Sequence, residues 1–296
     1  MDNDDDSMVD NERIIGNELA YQADQSGLQA LKINPIQSNF YADGLVSVIS
    51  THRHTLRHVQ FTGMIRGEAP AISQDVPLDH VTTLELHHNE PDSGMDDFAW
   101  FINIAPNVQK LSLSYLHEDD SDVCRAMKNL EHLKELTYGP CSAAFVDFLD
   151  HHATLGEESS LRKLSITGNS ADVVASLLPT LYRLSQLQDL NICFVEKVTM
   201  DDLSIEKLAQ GCPNLERLSL SCDAGIPSPL IYKIRLFPNL TTLSINRCHA
   251  SNESLFSLLT CKRLKTLKVT DAELPNDVKE MLDSLLVTVL HSNWYA

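Results

Sequence analysis

Apolar residues recur along this chain in one short, fixed pattern. The text LQALKIN at Leu28 returns nine more times in altered form: LRHVQF at Leu56, VTTLEL at Val81, VQKLSL at Val108, LKELTY at Leu133, LRKLSI at Leu161, LQDLNI at Leu187, LERLSL at Leu215, LTTLSI at Leu240 and LKTLKV at Leu264. The starts are 28, 25, 27, 25, 28, 26, 28, 25 and 24 residues apart. With the first apolar residue counted as position 0, positions 0, 3 and 5 supply 30 sites, and all 30 are hydrophobic. A chain that is 43% hydrophobic would supply about 13 of them by chance. Positions 2 and 4 supply 20 sites, of which only Ala30 is apolar. Alternation across positions 2 to 5 predicts a short strand in every repeat, with one side turned to a core.

The segments between strands have helical spacing and start signals. Thr199 precedes MDDLSIEKLAQ and is placed to cap it, with acids in the first turn. Ser170 precedes ADVVASLLPTLYRL and Ser251 precedes NESLFSLL. Further helices are expected near 95–104, 120–127 and 142–152. One strand–helix unit cannot bury both of its faces alone, so neighbours must stack into one continuous core. Strands stack ~4.8 Å apart, whereas helices are ~10 Å across. The array must therefore bend, with strands inside and helices outside. Both ends need covers. Pro275-Asn276-Asp277 opens a helix and a last strand ending near Leu290, a C-terminal cap over about 275–296. A covering helix is expected over 14–25. Residues 2–12 carry six acids and no base, so 1–13 is expected to be an acidic disordered tail and 14–296 the repeat domain.

This period falls within the range of leucine-rich repeats. The predicted fold is an α/β leucine-rich-repeat solenoid, a horseshoe of about ten repeats of 24–28 residues with a concave parallel sheet and convex helices. Cys212 and Cys261 stand three residues before an anchor, in GCPNLERLSL and TCKRLKTL. Cys141 and Cys248 stand at position 8, where Asn89 and Asn169 stand in their own repeats. With GCPNLERLSL and FPNLTTLSI, the chain resembles the cysteine-containing, ribonuclease-inhibitor-like repeats of F-box substrate receptors, fungal ones especially. The resemblance covers about residues 14–290. It implies substrate selection for an SCF-type ubiquitin ligase. An F-box is a Leu- and Pro-rich module of its own, and the 27 residues before Leu28 have neither a Leu-Pro start nor matching helices. No F-box is expected in this chain, and a Skp1-type adaptor is implied only if an F-box is present elsewhere. Two other readings stay open: a GTPase-activating repeat protein of the kind that acts on Ran, and an interaction scaffold with no ubiquitin role.

Composition narrows the function classes. There is no GxSxG, HExxH, GxGxxG or GxxxxGK[ST], so a non-enzymatic binding surface is expected, with no cofactor and no metal. His52, His54 and His58 are read as exposed imidazoles at a helix end, and His151-His152 as a helix C-terminus favouring a cation. Seven cysteines without a CxxC pair, after an N-terminus with no export signal, predict reduced thiols in the cytoplasm or nucleus. Cys141 and Cys248 are expected inside, Cys193 and Cys222 at the surface. No apolar run approaches the ~18 residues of a membrane span. A net charge of −18 argues against nucleic acid and anionic membranes as partners.

Charge placement points to a protein partner instead. Positions 1, 2, 4, 6 and 7 line the concave face and its rim, 50 sites in all. Ten bases and five acids stand there, a net +5, against −23 on the other 246 residues. That asymmetry suits a partner with an acidic or phosphorylated segment. The candidate contacts are Lys110, Lys163, Arg217 and Lys268 in the middle of the sheet, with His87, Tyr115, Phe194 and Arg247 on the rim where strands leave it.

Overall fold

The computed structural model describes residues 20–24, 27–33, 40–63, 65–66, 77–87, 96–114, 120–168, 171–194, 204–249, 251–270, 280 and 288–292. Its strands are β1 (Ala20–Asp24), β2 (Gly27–Ile33), β3 (Phe40–Tyr41), β4 (His58–Thr62), β5 (Ile65–Arg66), β6 (Thr83–His87), β7 (Lys110–Ser114), β8 (Glu135–Gly139), β9 (Lys163–Gly168), β10 (Asp189–Phe194), β11 (Arg217–Pro227), β12 (Thr242–His249), β13 (Thr266–Thr270) and β14 (Thr288–Ser292). Twelve of them form one sheet in the order β1-β2-β4-β6-β7-β8-β9-β10-β11-β12-β13-β14, and β3 pairs with β5 in a small second sheet. From β2 onward every pairing in the large sheet is parallel. The helices are α1 (Ala42–His52), α2 (Asp96–Ile104), α3 (Ser121–Met127), α4 (Ala143–Leu155), α5 (Ala171–Leu181), α6 (Ile205–Gly211), α7 (Ser228–Lys233) and α8 (Asn252–Ser257). They lie on the convex side.

The register keeps equal positions of neighbouring repeats side by side, so each apolar position becomes a row. Of the 30 residues at positions 0, 3 and 5, 29 are buried, and only Leu264, near the end of the array, is half-buried. Parallel pairing begins in the same way at eight successive junctions. The carbonyl of position 1 accepts both the position-1 and position-2 N–H groups of the next repeat, from Arg57 (Thr82, Thr83) to Thr241 (Lys265, Thr266).

The phrase GCPNLERLSL joins one repeat to the previous one. A Cβ on Gly211 would lie 1.6 Å from the Tyr182 carbonyl oxygen, so only glycine fits there. Cys212 is buried and its Sγ donates to the Leu181 carbonyl at 3.3 Å. Asn214 donates to the Ser185 carbonyl at 3.1 Å. Asn107 and Asn239, at the same place in their repeats, donate to Asp79 and Pro213. This amide ladder runs at position −1, before the strands. Asn89 and Asn169 lie outside the described residues.

Several expectations need correction. Residues 20–24 form strand β1, antiparallel to β2, where a covering helix was expected. The cap of α6 is Ser204, whose hydroxyl accepts from Lys207 N. Thr199 and Ser170 lie outside the described residues, as do the acidic tail and the helix after Pro275. Ser251 caps α8 as expected, accepting from Ser254 N, and the last strand is present as β14. His152 is not a dipole-stabilised cation. It is 4% exposed, packs edge-on against Phe148 and contacts Ser159 Oγ at 3.0 Å. Burial, then His151, pushes its pKa down to about 4. Cys222 is fully buried and Cys193 half-buried. Cys222 pairs in register with buried Phe194 of β10, so the alternation that buries positions 3 and 5 carries both inward at position 7.

One polar cluster lies in the core. Asp120, 1% exposed, accepts from the Tyr138 hydroxyl and, at 2.6 Å, from Ser142 Oγ. Ser142 in turn caps α4 by accepting from Phe145 N. A buried carboxylate without donors is costly, and here two hydroxyls satisfy it. The cluster ties the start of α3 to β8 and α4. Burial pushes the nearby Cys124 and Cys141 thiols up to about 12 and the Tyr138 phenol above its ordinary value.

Candidate functional site on the concave sheet

Position 2 is half-buried or exposed in all ten repeats. Across five consecutive strands it holds Lys110, Glu135, Lys163, Asp189 and Arg217, each in direct register with the next. The signs alternate along the whole row. Glu135 accepts from Lys163 Nζ, and Asp189 Oδ2 accepts from Arg217 Nε at 2.7 Å. Lys110 reaches diagonally to Glu85 Oε1, one strand back, at 3.3 Å. All six partners keep 19–48% of their side chains exposed. Such pairs contribute at most about 1 kcal/mol each, but they hold long side chains in fixed places. Four strand spacings of ~4.8 Å make the row ~19 Å long.

The row at position 4 is polar and mostly small. It runs Ser112, Thr137, Ser165, Asn191, Ser219 and Ser244 along the registered strands. Asn191 donates to Ser165 Oγ at 2.9 Å. At position 6, Asn246 donates to Ser221 Oγ and accepts from Thr270 Oγ1. The concave surface is therefore a low floor of hydroxyls and amides beside a raised, alternating charge row.

The candidate residues separate on this surface. Lys110, Lys163 and Arg217 share one row, but each is engaged by an acid of a neighbouring strand, so they do not form one basic patch. Lys268 is exposed and has no ion pair among the described residues. His87 is half-buried, with Nδ1 2.6 Å from Ser114 Oγ. Burial lowers its pKa, opposed by Glu85. This is a base beside a hydroxyl, but Glu85 is directed to Lys110, and no carboxylate bonds the ring among the described residues. A catalytic triad needs that third group. Phe194 is not a rim contact. It is 1% exposed, because its strand continues one step inward at position 7. Arg247 stands in β12, with its side chain outside the description, and Tyr115 lies outside the described residues. No three His, Cys, Asp or Glu side chains converge as a metal site among the described residues, and no described helix is long and apolar enough to cross a membrane.

A count of charges by repeat position does not show which of them pair. The signal that could have revealed the row was present: Lys, Glu, Lys, Asp and Arg fall at one repeat position in five successive repeats. The PN dipeptides before Val108, Leu215 and Leu240 likewise marked the amide ladder.

No family model and no curated protein sequence matches the chain. Solved structures do resemble it. The leucine-rich repeat-containing protein LegL7 from Legionella pneumophila is 17% identical, with a TM-score of 0.52 over 88% of this chain and 90% of LegL7. A Bacteroides fragilis protein is 16% identical, with a TM-score of 0.45 over 85% of this chain and 71% of its own. A chain of the TLR13–ssRNA13 complex is 17% identical, with a TM-score of 0.44 over 84% of this chain and 37% of that one. The LegL7 likeness extends nearly end to end in both proteins, and with the registered parallel sheet and convex helices it shows the fold: the chain is an α/β leucine-rich-repeat solenoid.

Proposed function

We propose that this chain is a non-enzymatic protein-recognition module that holds its partner on the concave sheet. The observation that supports it is the charge row Lys110–Glu135–Lys163–Asp189–Arg217, solvent-open and alternating in sign, beside a floor of small polar side chains. A surface with prearranged charges offers a partner specificity at low ordering cost. The row's near-balance refines the expected chemistry. An acidic or phosphorylated segment must compete with Glu135 and Asp189 for the bases, so a fitting partner also carries bases that meet those acids. A protein satisfies this and a uniform polyanion such as nucleic acid does not. The F-box-receptor resemblance supplies the context: substrate selection for an SCF-type ubiquitin ligase, with a Skp1-type adaptor as a partner only if an F-box is present elsewhere.

The test is photocrosslinking from the concave floor at Ser219, with Glu157 as the convex control. A partner identified by mass spectrometry is then titrated against two variants. Lys163→Glu with Arg217→Glu should weaken binding by at least about tenfold, and Asp147→Lys with Asp172→Lys should leave it within about twofold. Loss only in the second variant would place the interface on the helices and overturn the reading. Co-purification of a Skp1-type adaptor separates the ubiquitin-ligase context from a plain scaffold.

A further inference from the structure

Charge and exposed apolar surface coincide at a second place, away from the concave row. Residues 224–270 contain seven bases and one acid, a net +6, while the other 249 residues carry −24. Four of those bases sit on the strand-entry edge of the last two repeats: Arg235, Lys262, Arg263 and Lys265. Three of the four exposed large hydrophobic residues among the described ones are here too, Tyr232 at 46%, Leu236 at 44% and Leu259 at 37%.

The local structure explains why they meet. The short 3-10 turns Ile234–Leu236 and Leu258–Thr260 precede β12 and β13 and contact each other. Ile234 and Leu258 occupy the same place in successive turns, and both are buried. With those side chains inward, the next position in each turn faces out, which places Arg235 beside Leu259. The charge of Arg235 also reaches Cys261 in the neighbouring repeat. Its guanidinium lies 4.0 Å over the Tyr232 ring. Stacking fixes the guanidinium plane and leaves its N–H edge free for a carboxylate. Arg263 donates to Asn239 Oδ1, while Arg235, Lys262 and Lys265 have no ion pair among the described residues.

We propose that this edge is a second docking surface, for an acidic protein segment with an aliphatic anchor: a carboxylate on stacked Arg235, further acids on Lys262 and Lys265, and the anchor between Leu236 and Leu259. Charge complementarity argues for this occupant, because residues 224–270 carry +6 in a protein of net −18. A polyanion would meet the acidic remainder of the chain and leave the leucines uncovered. The stacked arginine beside apolar side chains has the character of a protein interface centre.

The experiment uses the full chain and a labelled synthetic peptide of about ten residues, ~33 Å extended, rich in glutamate with two leucines. Binding is measured by fluorescence anisotropy at two salt concentrations. Expected results are saturable binding, a loss of about tenfold or more on Arg235→Glu with Lys262→Glu, a similar loss when the peptide's glutamates become glutamines, and a smaller loss when its leucines become serines. The concave variant Lys163→Glu with Arg217→Glu should bind the peptide as the parent does, which keeps this surface distinguishable from the concave one. Thermal midpoints confirm that each variant is folded. No binding, no effect of the edge variant, or equal or tighter binding of a single-stranded oligonucleotide or of phosphatidylserine vesicles overturns the proposal.

Discussion

Arg217 Nε donates to Asp189 Oδ2 at 2.7 Å across the seam between β10 and β11, and this pair is one step of a charge row five strands long. Both side chains are about one-third exposed or more, so water screens the attraction. A double-mutant cycle with Asp189→Ala and Arg217→Ala should give a coupling of about 0.2–1 kcal/mol, falling as salt is raised. A coupling of several kcal/mol, insensitive to salt, would mean the pair is a structural element and not a displaceable contact.

The apolar rows govern stability. Leu218 and Leu243 are paired neighbours, 1% and 0% exposed. Truncating either to alanine should cost about 2–5 kcal/mol in chemical denaturation. Ser219→Ala, one residue along the same strand but facing solvent, should stay within about 0.5 kcal/mol. Equal losses at Leu218 and Ser219 would refute the assignment of faces.

Gly211 is a backbone-packing position. With a Cβ only 1.6 Å from the Tyr182 carbonyl, Gly211→Ala must displace one repeat against the next and should cost about 1–3 kcal/mol or more. Helix propensity alone would make this substitution favourable, so the sign of the change decides between the two.

Thiol reactivity should rank by burial. Cys193 and Cys261, both half-buried, should be alkylated in the native protein well ahead of the buried Cys124, Cys141, Cys212 and Cys222. Burial pushes Cys124, Cys141 and Cys212 up to about 12, which removes the reactive thiolate at neutral pH. Time-resolved labelling with peptide mapping reads each site. Native labelling of Cys222 as fast as Cys193 would contradict the inward facing of position 7.

His152 makes stability depend on pH. Its folded pKa is about 4, against 6.5 for the free group. Between these values the unfolded chain binds a proton that the folded chain excludes, so stability rises with pH through that window. Acidification from about pH 6.5 to about pH 4 should remove up to about 3 kcal/mol, and the full contribution is present above pH 6.5. Unfolding midpoints of the parent and of His152→Gln test this: the variant should show the shallower slope, whatever its absolute stability. Identical slopes would assign the effect to other groups.

By itself, the sequence determined the repeat, the strand in each repeat, and which residues face inward. Those properties follow from local periodicity, and 29 of the 30 apolar anchors are buried as that periodicity requires. Tertiary structure decided what depends on the neighbouring repeat. Lys163 and Arg217 looked like free bases until register set Glu135 and Asp189 beside them. Phe194 and Cys222 looked like rim residues until their strands continued inward. Gly211, Cys212 and Asn214 looked like a family signature until the carbonyls of Tyr182, Leu181 and Ser185 showed what each one meets. Arg235 and Leu259 stand 24 positions apart in sequence, and only the stacking of two turns makes them one surface. The reason is the same in each case: a side chain's facing is set by its own few residues, whereas its partner is supplied by a turn of the solenoid some 25 residues away.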